Sequence, residues 1–264
     1  MNEEIFQKIS SKGWDILDKD NALLVGKSCF KEEFENLDNA LSDFEIPVTD
    51  FIRSGGGLAE PTKRLTNIVN SFHWKKNNVT SETKVTFSDK SLDPIQTNAI
   101  SHEIDHVGFD SKKNKKFALE IEWSNKDEFF DRDFSAMKGL YNIGAIELGI
   151  VILKGSNFND KAKKEIENYF IDKVESQDDF ISVQEHINSV GGTFTFPTNT
   201  QLDAINTKNK KLKDYPLSVS EVFWSNKYGS TTTTWKQLLK RLDRGSAERL
   251  PMIFLGIPGE VISS

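Results

Sequence analysis

Two extended segments, residues 100–109 and 117–123, constrain the fold of this chain more than any other feature. The stretch between them contains four lysines and is typical of a polar turn, so the three pieces together predict a β-hairpin. In the second strand Glu120 and Glu122 stand two positions apart, which places them on one face, roughly 7 Å apart along the backbone. The turn brings Asp105 of the first strand back beside Glu120.

Three carboxylates held close together repel one another unless a cation neutralises them, and oxygen donors of this kind suit Mg²⁺. Asp105 and Glu120 are the predicted metal ligands, with the carbonyl oxygen of Ile121 as a further donor. Such a cation can activate water and stabilise the charge that develops in phosphodiester hydrolysis. Glu122 either orients the attacking water or accepts its proton. The alternative interpretation is an exposed acidic face of a strand, which the apolar residues on the other face disfavour.

The hairpin resembles the PD-(D/E)xK nucleases, and within them the BamHI/BglII-like type II restriction endonucleases. Most of that superfamily ends the triplet with Lys, whereas this chain has Glu122 there, as the BamHI-like branch does. The resemblance covers residues 51–155. It includes a glycine-rich segment and helix upstream, at 55–65, and an apolar strand downstream, at 146–153.

This resemblance implies a Mg²⁺-dependent endonuclease that cuts double-stranded DNA at a short specific site and acts as a homodimer. It adds Glu60, at the start of the upstream helix, as a further catalytic acid. The alternative is an acidic residue that the helix dipole favours in a first turn. Lys63 and Arg64 on the same helix, and Lys126 after the triplet, are expected to reach DNA phosphates unless they form a solvated surface.

The order of predicted elements indicates an α/β fold with a mixed central sheet flanked by helices. The resemblance implies that this fold is a PD-(D/E)xK restriction-endonuclease-like core. We expect a single endonuclease domain, residues 1–264. Its catalytic core spans about 51–155, and a helix and strand within 234–258 close it. Residues 1–50 have roughly helical spacing of apolar residues and predict helices.

The segment 188–233 is rich in Asn, Thr, Ser, Gly and Lys and has few clear periods. It predicts an irregular C-terminal elaboration and a possible DNA-recognition insertion, because such side chains contact base edges and backbone oxygens. Lys208, Lys210 and Lys211 are its candidate DNA-binding residues. A solvated loop is the alternative interpretation of this basic cluster.

The composition sets broad limits on location and partners. The net charge of −6 disfavours a protein that coats nucleic acid indiscriminately, although a local basic patch matters more to DNA binding than the total. The single cysteine, Cys29, excludes an internal disulfide and fits a reducing cytoplasm. The sequence has no N-terminal export signal and no apolar run of membrane-spanning length, so we expect a cytoplasmic protein with no membrane partner.

A rival motif overlaps the hairpin, because residues 102–106 read His-Glu-Ile-Asp-His. On a helix, His102 and His106 would lie one turn apart and bind Zn²⁺, with Glu103 as the general base of a zinc metallopeptidase. The charged Asp105 inside the motif and the absence of a downstream third ligand disfavour this alternative. Two further alternatives are a DNA nuclease of the same superfamily without a restriction role and a non-catalytic DNA-binding relative.

Overall fold

The structure is a computed structural model and describes residues 5–54, 58–82, 84–96 and 100–264. The glycines at 55–57, which begin the predicted glycine-rich segment, lie outside the described residues. Among the residues described, no helix combines the length and hydrophobicity that a bilayer crossing requires.

The centre of the molecule is a six-stranded mixed sheet. The strands in the described ranges are β1 (Asp15–Lys19), β2 (Ile46–Pro47), β3 (Lys75–Ser81), β4 (Lys84–Val85), β5 (Ile95–Gln96), β6 (Ile100–Phe109), β7 (Lys116–Glu122), β8 (Leu148–Lys154), β9 (Met252–Ile257) and β10 (Ile262–Ser263). The sheet has the order β1-β9-β8-β7-β6-β3, with β7, β8 and β9 parallel and the other pairs antiparallel. Strands β2 and β10 form one small ribbon, and β4 and β5 another.

Helices cover both faces of this sheet. In the described ranges they are α1 (Gln7–Ser11), α2 (Ala22–Cys29), α3 (Lys31–Ser42), α4 (Val48–Ile52), α5 (Glu60–Ser71), α6 (Glu128–Asn142), α7 (Phe158–Lys173), α8 (Phe180–Ser189), α9 (Asn199–Leu212), α10 (Tyr215–Tyr228) and α11 (Trp235–Asp243). Apolar residues of α6 and α11 pack on one face, and those of α1, α3, α5, α7 and α10 on the other. The predicted α/β class with a mixed sheet flanked by helices is therefore confirmed.

Strand β8 shows why the centre of the sheet has an apolar sequence. All seven of its residues are buried. Ile150 and Ile152 point into the larger core cluster, whereas Val151 and Leu153 point into the cluster under α6. A parallel strand covered on both faces needs apolar side chains at consecutive positions, and this explains the continuous run that predicted the strand.

The helical prediction for residues 1–50 is wrong at two places, β1 and the two-residue strand β2. Residues 15–19 form β1, an edge strand that pairs antiparallel with β9. Its neighbouring residues Ile16 and Leu17 pack against opposite core clusters, as alternation in a strand requires. The apolar segment here is too short for the spacing of its residues to distinguish a five-residue strand from a helical turn.

The prediction of irregular structure across 188–233 is also wrong, because α9 and α10 occupy most of it. The Thr198 side chain accepts a hydrogen bond from the Gln201 N–H and forms a capping box at the start of α9. The Asp214 side chain caps α10, whose second residue is Pro216. Polar side chains stabilise these helix starts, and the Lys208–Lys211 cluster lies on a helix rather than in a loop.

A glycine in β6 makes room for the most enclosed aromatic ring of the hairpin. Gly108 pairs with Phe117, and a Cβ atom on Gly108 would lie 2.1 Å from that ring. The ring cannot move aside easily, because Phe30, Phe34 and Trp74 contact it. The hairpin that carries Asp105 and Glu120 therefore depends on this glycine.

We predict that Gly108→Ala lowers the free energy of unfolding by about 3 kcal/mol, because the added methyl group overpacks a rigid site. The matched control is Gly139→Ala in α6, where an added Cβ meets nothing within 4 Å. That variant is expected to gain about 0.5–1 kcal/mol from helix propensity. Urea denaturation measures both. A Gly108→Ala protein as stable as wild type would contradict the packing argument.

Candidate active site

The β6–β7 hairpin brings Asp105 and Glu120 into direct contact. The strands pair with His106 opposite Leu119, which places Asp105 opposite Glu120. The Asp105 N–H donates a 3.4 Å hydrogen bond to Glu120 Oε2, and the Ile121 N–H donates a 3.3 Å bond to Asp105 Oδ2. The juxtaposition that the sequence indicated is therefore present in the fold.

Both glutamates of β7 are buried. Glu120 is 4% exposed and Glu122 is 3% exposed, so they are not part of a solvated acidic edge. Ile121 and Trp123 pack into the core cluster on the opposite face of the strand. The two carboxylates therefore lie on the face that α6 covers.

Helix α6 adds a third buried acid to this face, Asp133, which is 1% exposed. Its Oδ1 accepts hydrogen bonds from the Arg132 guanidinium at 2.7 and 2.8 Å. From β6, His102 Nε2 lies 3.9 Å from the same Oδ1. Donor atoms of His102, Glu120 and Asp133 all lie within 4.8 Å of one another. No motif in the sequence indicated Asp133, whereas His102 belongs to the disfavoured His-Glu-Ile-Asp-His motif.

The electrostatics of this cluster favour a bound cation. Burial, followed by repulsion from Asp105 and Asp133, raises the pKa of Glu120 to about 10. Burial also raises the pKa of Glu122, and contact with Asp133 adds to the shift, while a 2.9 Å hydrogen bond from Asn125 opposes it. A divalent cation would reverse these shifts by stabilising the ionised carboxylates.

Unpartnered atoms in the cluster also favour a bound cation. Glu120 Oε1 and Asp133 Oδ2 are buried and have no hydrogen-bond partner among the described residues. Buried polar atoms of this kind are rare, because they lose their hydration without compensation. Carboxylate oxygens are also the donors that Mg²⁺ prefers. The residues present therefore fit a divalent metal ion.

Glu60 lies in a different environment. It opens α5 and lines a cavity of about 360 Å³ together with Ile121 and Trp123, which face away from the buried acids. Its carboxylate pairs with Lys63 at 2.6 Å and with Arg53 at 3.8 Å. The hydrogen bond from Lys63 is the main cause of its lowered pKa. The structure thus joins Glu60 to two cations and not to the carboxylate cluster.

Four of the six residues predicted to bind DNA have partners within the chain. Lys63 pairs with Glu60, and Arg64 with the buried Asp50 at 2.6 Å. Two more have polar partners: Lys126 donates to the Ser230 carbonyl oxygen, and Lys208 pairs with Glu221. Lys210 and Lys211 are exposed in the last turn of α9.

The zinc-peptidase arrangement is absent, because residues 102–106 lie on strand β6 and not on a helix. His102 approaches Asp133 beneath α6. His106 is buried on the other face, where its Nδ1 lies 3.1 Å from the Trp74 carbonyl oxygen, and burial lowers its pKa. A β-bulge between the β3 partners Lys75 and Asn77 shifts the register here. The two imidazoles therefore cannot bind one metal ion.

Comparison with known proteins extends the resemblance seen in the sequence. A family model described as restriction endonuclease BglII/BglIII matches residues 14–257, nearly the whole chain. No curated protein matches the chain. The family match reaches well beyond residues 51–155 and includes β1 and β9 at opposite ends of the chain.

Proposed function

The chain belongs to the BglII/BglIII restriction endonuclease family, the members of which are type II site-specific deoxyribonucleases, and we propose that it uses Mg²⁺ held by Asp105 and Glu120 to cut a short palindromic DNA site. The observation that supports this proposal is the contact between these two residues, in which the Asp105 N–H donates a hydrogen bond to Glu120 Oε2. The carbonyl oxygen of Ile121 is the proposed third ligand from the chain.

Hydrolysis of a phosphodiester needs an activated water and compensation of the charge on the reacting phosphate. The bound Mg²⁺ would supply that compensation and acidify water. Glu122 is the proposed proton acceptor, because it lies two positions from Glu120 on the same buried face of β7. Asn125 Nδ2 donates to Glu122 Oε2 and orients the carboxylate towards one position.

Two further assignments belong to the same proposal. Lys210 and Lys211 are the favoured phosphate contacts, since both side chains are exposed. Lys63, Arg64, Lys126 and Lys208 would exchange their present partners for phosphate oxygens. Glu60 is proposed to act indirectly, by holding Arg53 and Lys63 beside the end of β7.

A homodimer is the proposed active form, because two identical subunits match the two-fold symmetry of a palindromic site. Helix α6 is the proposed interface element. It carries the exposed Phe129, and the exposed Ile143 directly follows its last residue. Leu239 of α11 is exposed as well, and α11 packs beside α6.

The test is incubation of DNA of known sequence with the purified protein and Mg²⁺. We expect discrete fragments with identical end sequences, no fragments in the presence of a chelator, and no fragments with Asp105→Asn. A smear of fragments would replace this proposal with a nuclease of broad specificity. Sequencing the fragment ends identifies the recognition site and the position of the cut in each strand.

A further inference from the structure

The group formed by His102, Glu120 and Asp133 includes two side chains that the proposed reaction leaves unused. It lies between β6, β7 and α6, on the α6 side of the Asp105–Glu120 contact. Glu120 and Asp133 are almost fully buried, and the His102 side chain is 22% exposed. The group therefore has two buried ligands and a third ligand that is more accessible to solvent.

Each member of the group has a buried atom without a hydrogen-bond partner among the described residues. Glu120 Oε1, Asp133 Oδ2 and His102 Nε2 are buried and have no hydrogen-bond partner among the described residues. The other oxygen of each carboxylate is occupied, since Glu120 Oε2 accepts from the Asp105 N–H and Asp133 Oδ1 from Arg132. The three free atoms are thus left over after the hydrogen bonds of the site have been formed.

Hydrogen bonding within the group does not explain this arrangement. Glu120 Oε1, Asp133 Oδ2 and His102 Nε2 have no hydrogen bond to the described residues, and the Arg132 guanidinium contacts Asp133 through Oδ1. The closest approach described between His102 Nε2 and Asp133 is 3.9 Å, which is too long for a hydrogen bond. A cation bound among the three atoms would give each of them a partner.

We propose that His102, Glu120 and Asp133 form a second divalent-cation site, selective for ions of the Mn²⁺ and Zn²⁺ class, beside the Asp105 position. The imidazole sets the selectivity, because imidazole nitrogen suits transition metals whereas Mg²⁺ takes oxygen donors and water. The proposal rests on the proposed function only in that Glu120 serves both positions. Glu120 would bridge two ions, with Oε2 towards Asp105 and Oε1 towards His102 and Asp133.

Pulsed electron paramagnetic resonance of Mn²⁺ bound to the full-length, DNA-free protein tests this site directly. A directly bound imidazole nitrogen modulates the Mn²⁺ spin echo, and this readout does not depend on DNA cleavage. We expect nitrogen modulation in the wild-type protein and its loss in His102→Gln. The matched control is His186→Gln, which removes an exposed imidazole from α8 and is expected to keep the signal.

Zinc titration by calorimetry gives a second measure. Asp133→Asn and His102→Gln are each expected to weaken Zn²⁺ binding at this site at least about tenfold. Circular dichroism establishes that each variant is folded, and His102→Gln, at the most exposed ligand, is the variant least able to disturb the core. Wild-type protein without nitrogen modulation, or modulation that persists in His102→Gln, would overturn the proposal.

Asp105→Asn separates this inference from the proposed function. It removes a ligand of the Mg²⁺ position but none of the three ligands proposed here, so nitrogen modulation is expected to persist while cleavage is lost. Cleavage by Asp105→Asn would refute the catalytic assignment and leave the imidazole site standing. Loss of nitrogen modulation in Asp105→Asn, in a folded protein, would show that no separate site exists.

Discussion

Glu120→Gln is expected to reduce cleavage of DNA that contains the recognition site by at least about 10³-fold. Neutralisation of phosphate charge by a bound cation contributes several kcal/mol to transition-state stabilisation, and about 4 kcal/mol corresponds to this factor. Gln keeps the shape of Glu120 but loses the negative charge that holds the cation. Its amide oxygen can still accept from the Asp105 N–H, so the fold is expected to be retained.

Single-turnover cleavage rates, with the enzyme in excess over DNA, measure this loss. The matched control is Glu103→Gln, which removes a carboxylate of the same kind from strand β6, where it is exposed and pairs with Lys76. Its cleavage rate is expected to stay close to that of the wild type. DNA binding in the presence of Ca²⁺ should survive in both variants. Rapid cleavage by Glu120→Gln would exclude Glu120 from the metal site.

The part of the site that was predictable from the sequence is the part that is local in the chain. Asp105 and Glu120 are separated by one turn, and strand alternation together with hairpin pairing is enough to bring them together. Alternation also places Glu120 and Glu122 on a common face. These relations need no knowledge of how the hairpin packs against the rest of the molecule.

Asp133 and His102 were missed because their roles depend on long-range packing. In the sequence Asp133 follows Arg132 on an amphipathic helix, and such a pair is typical of a solvated surface. Only the position of α6 over β7 buries the carboxylate beside Glu120. Helical spacing offered a signal for its burial, because Asp133 falls on the same face of the helix as Phe130, Phe134 and Met137.

Helices α9 and α10 were missed for a different reason. Residues 199–228 contain so many polar residues that a helical spacing of apolar residues is not evident. The remaining evidence for helices is the residues that cap their N-termini. Thr198 with Gln201, and Asp214 with Pro216, have the spacing of a capping box and of an N-terminal proline. Capping residues would therefore have identified α9 and α10 where hydrophobic periodicity did not.

The stability of the metal-free protein is expected to fall as the pH rises, because of Glu120. This carboxyl group ionises near pH 4.5 in the unfolded chain, whereas burial raises its pKa to about 10 in the folded protein. Between these values the folded state retains a proton that the unfolded state has released. The free energy of unfolding therefore decreases with pH, by at most about 1.4 kcal/mol per unit for one such group.

From pH 6 to pH 9, Glu120 is expected to lower the free energy of unfolding by at most about 4 kcal/mol. This corresponds to a decrease of the order of 10 °C in the melting temperature. Calorimetry in the presence of a chelator measures the change. Glu122 adds to it in the same direction, since burial raises its pKa as well. Glu120→Gln should show a smaller decrease and should be more stable than the wild type at pH 9, because it has no charge to bury.

Divalent cations are expected to oppose this loss of stability, and to do so most strongly at high pH. A cation binds the ionised carboxylates of the folded state and stabilises it by mass action, while protons compete for the same oxygens. Saturating Mg²⁺ should therefore raise the melting temperature of the wild type more at pH 9 than at pH 6, and raise that of Glu120→Gln much less. A wild-type melting temperature that is independent of pH without metal would mean that Glu120 ionises normally in the fold. Such a result would also remove the electrostatic reason for placing a cation there.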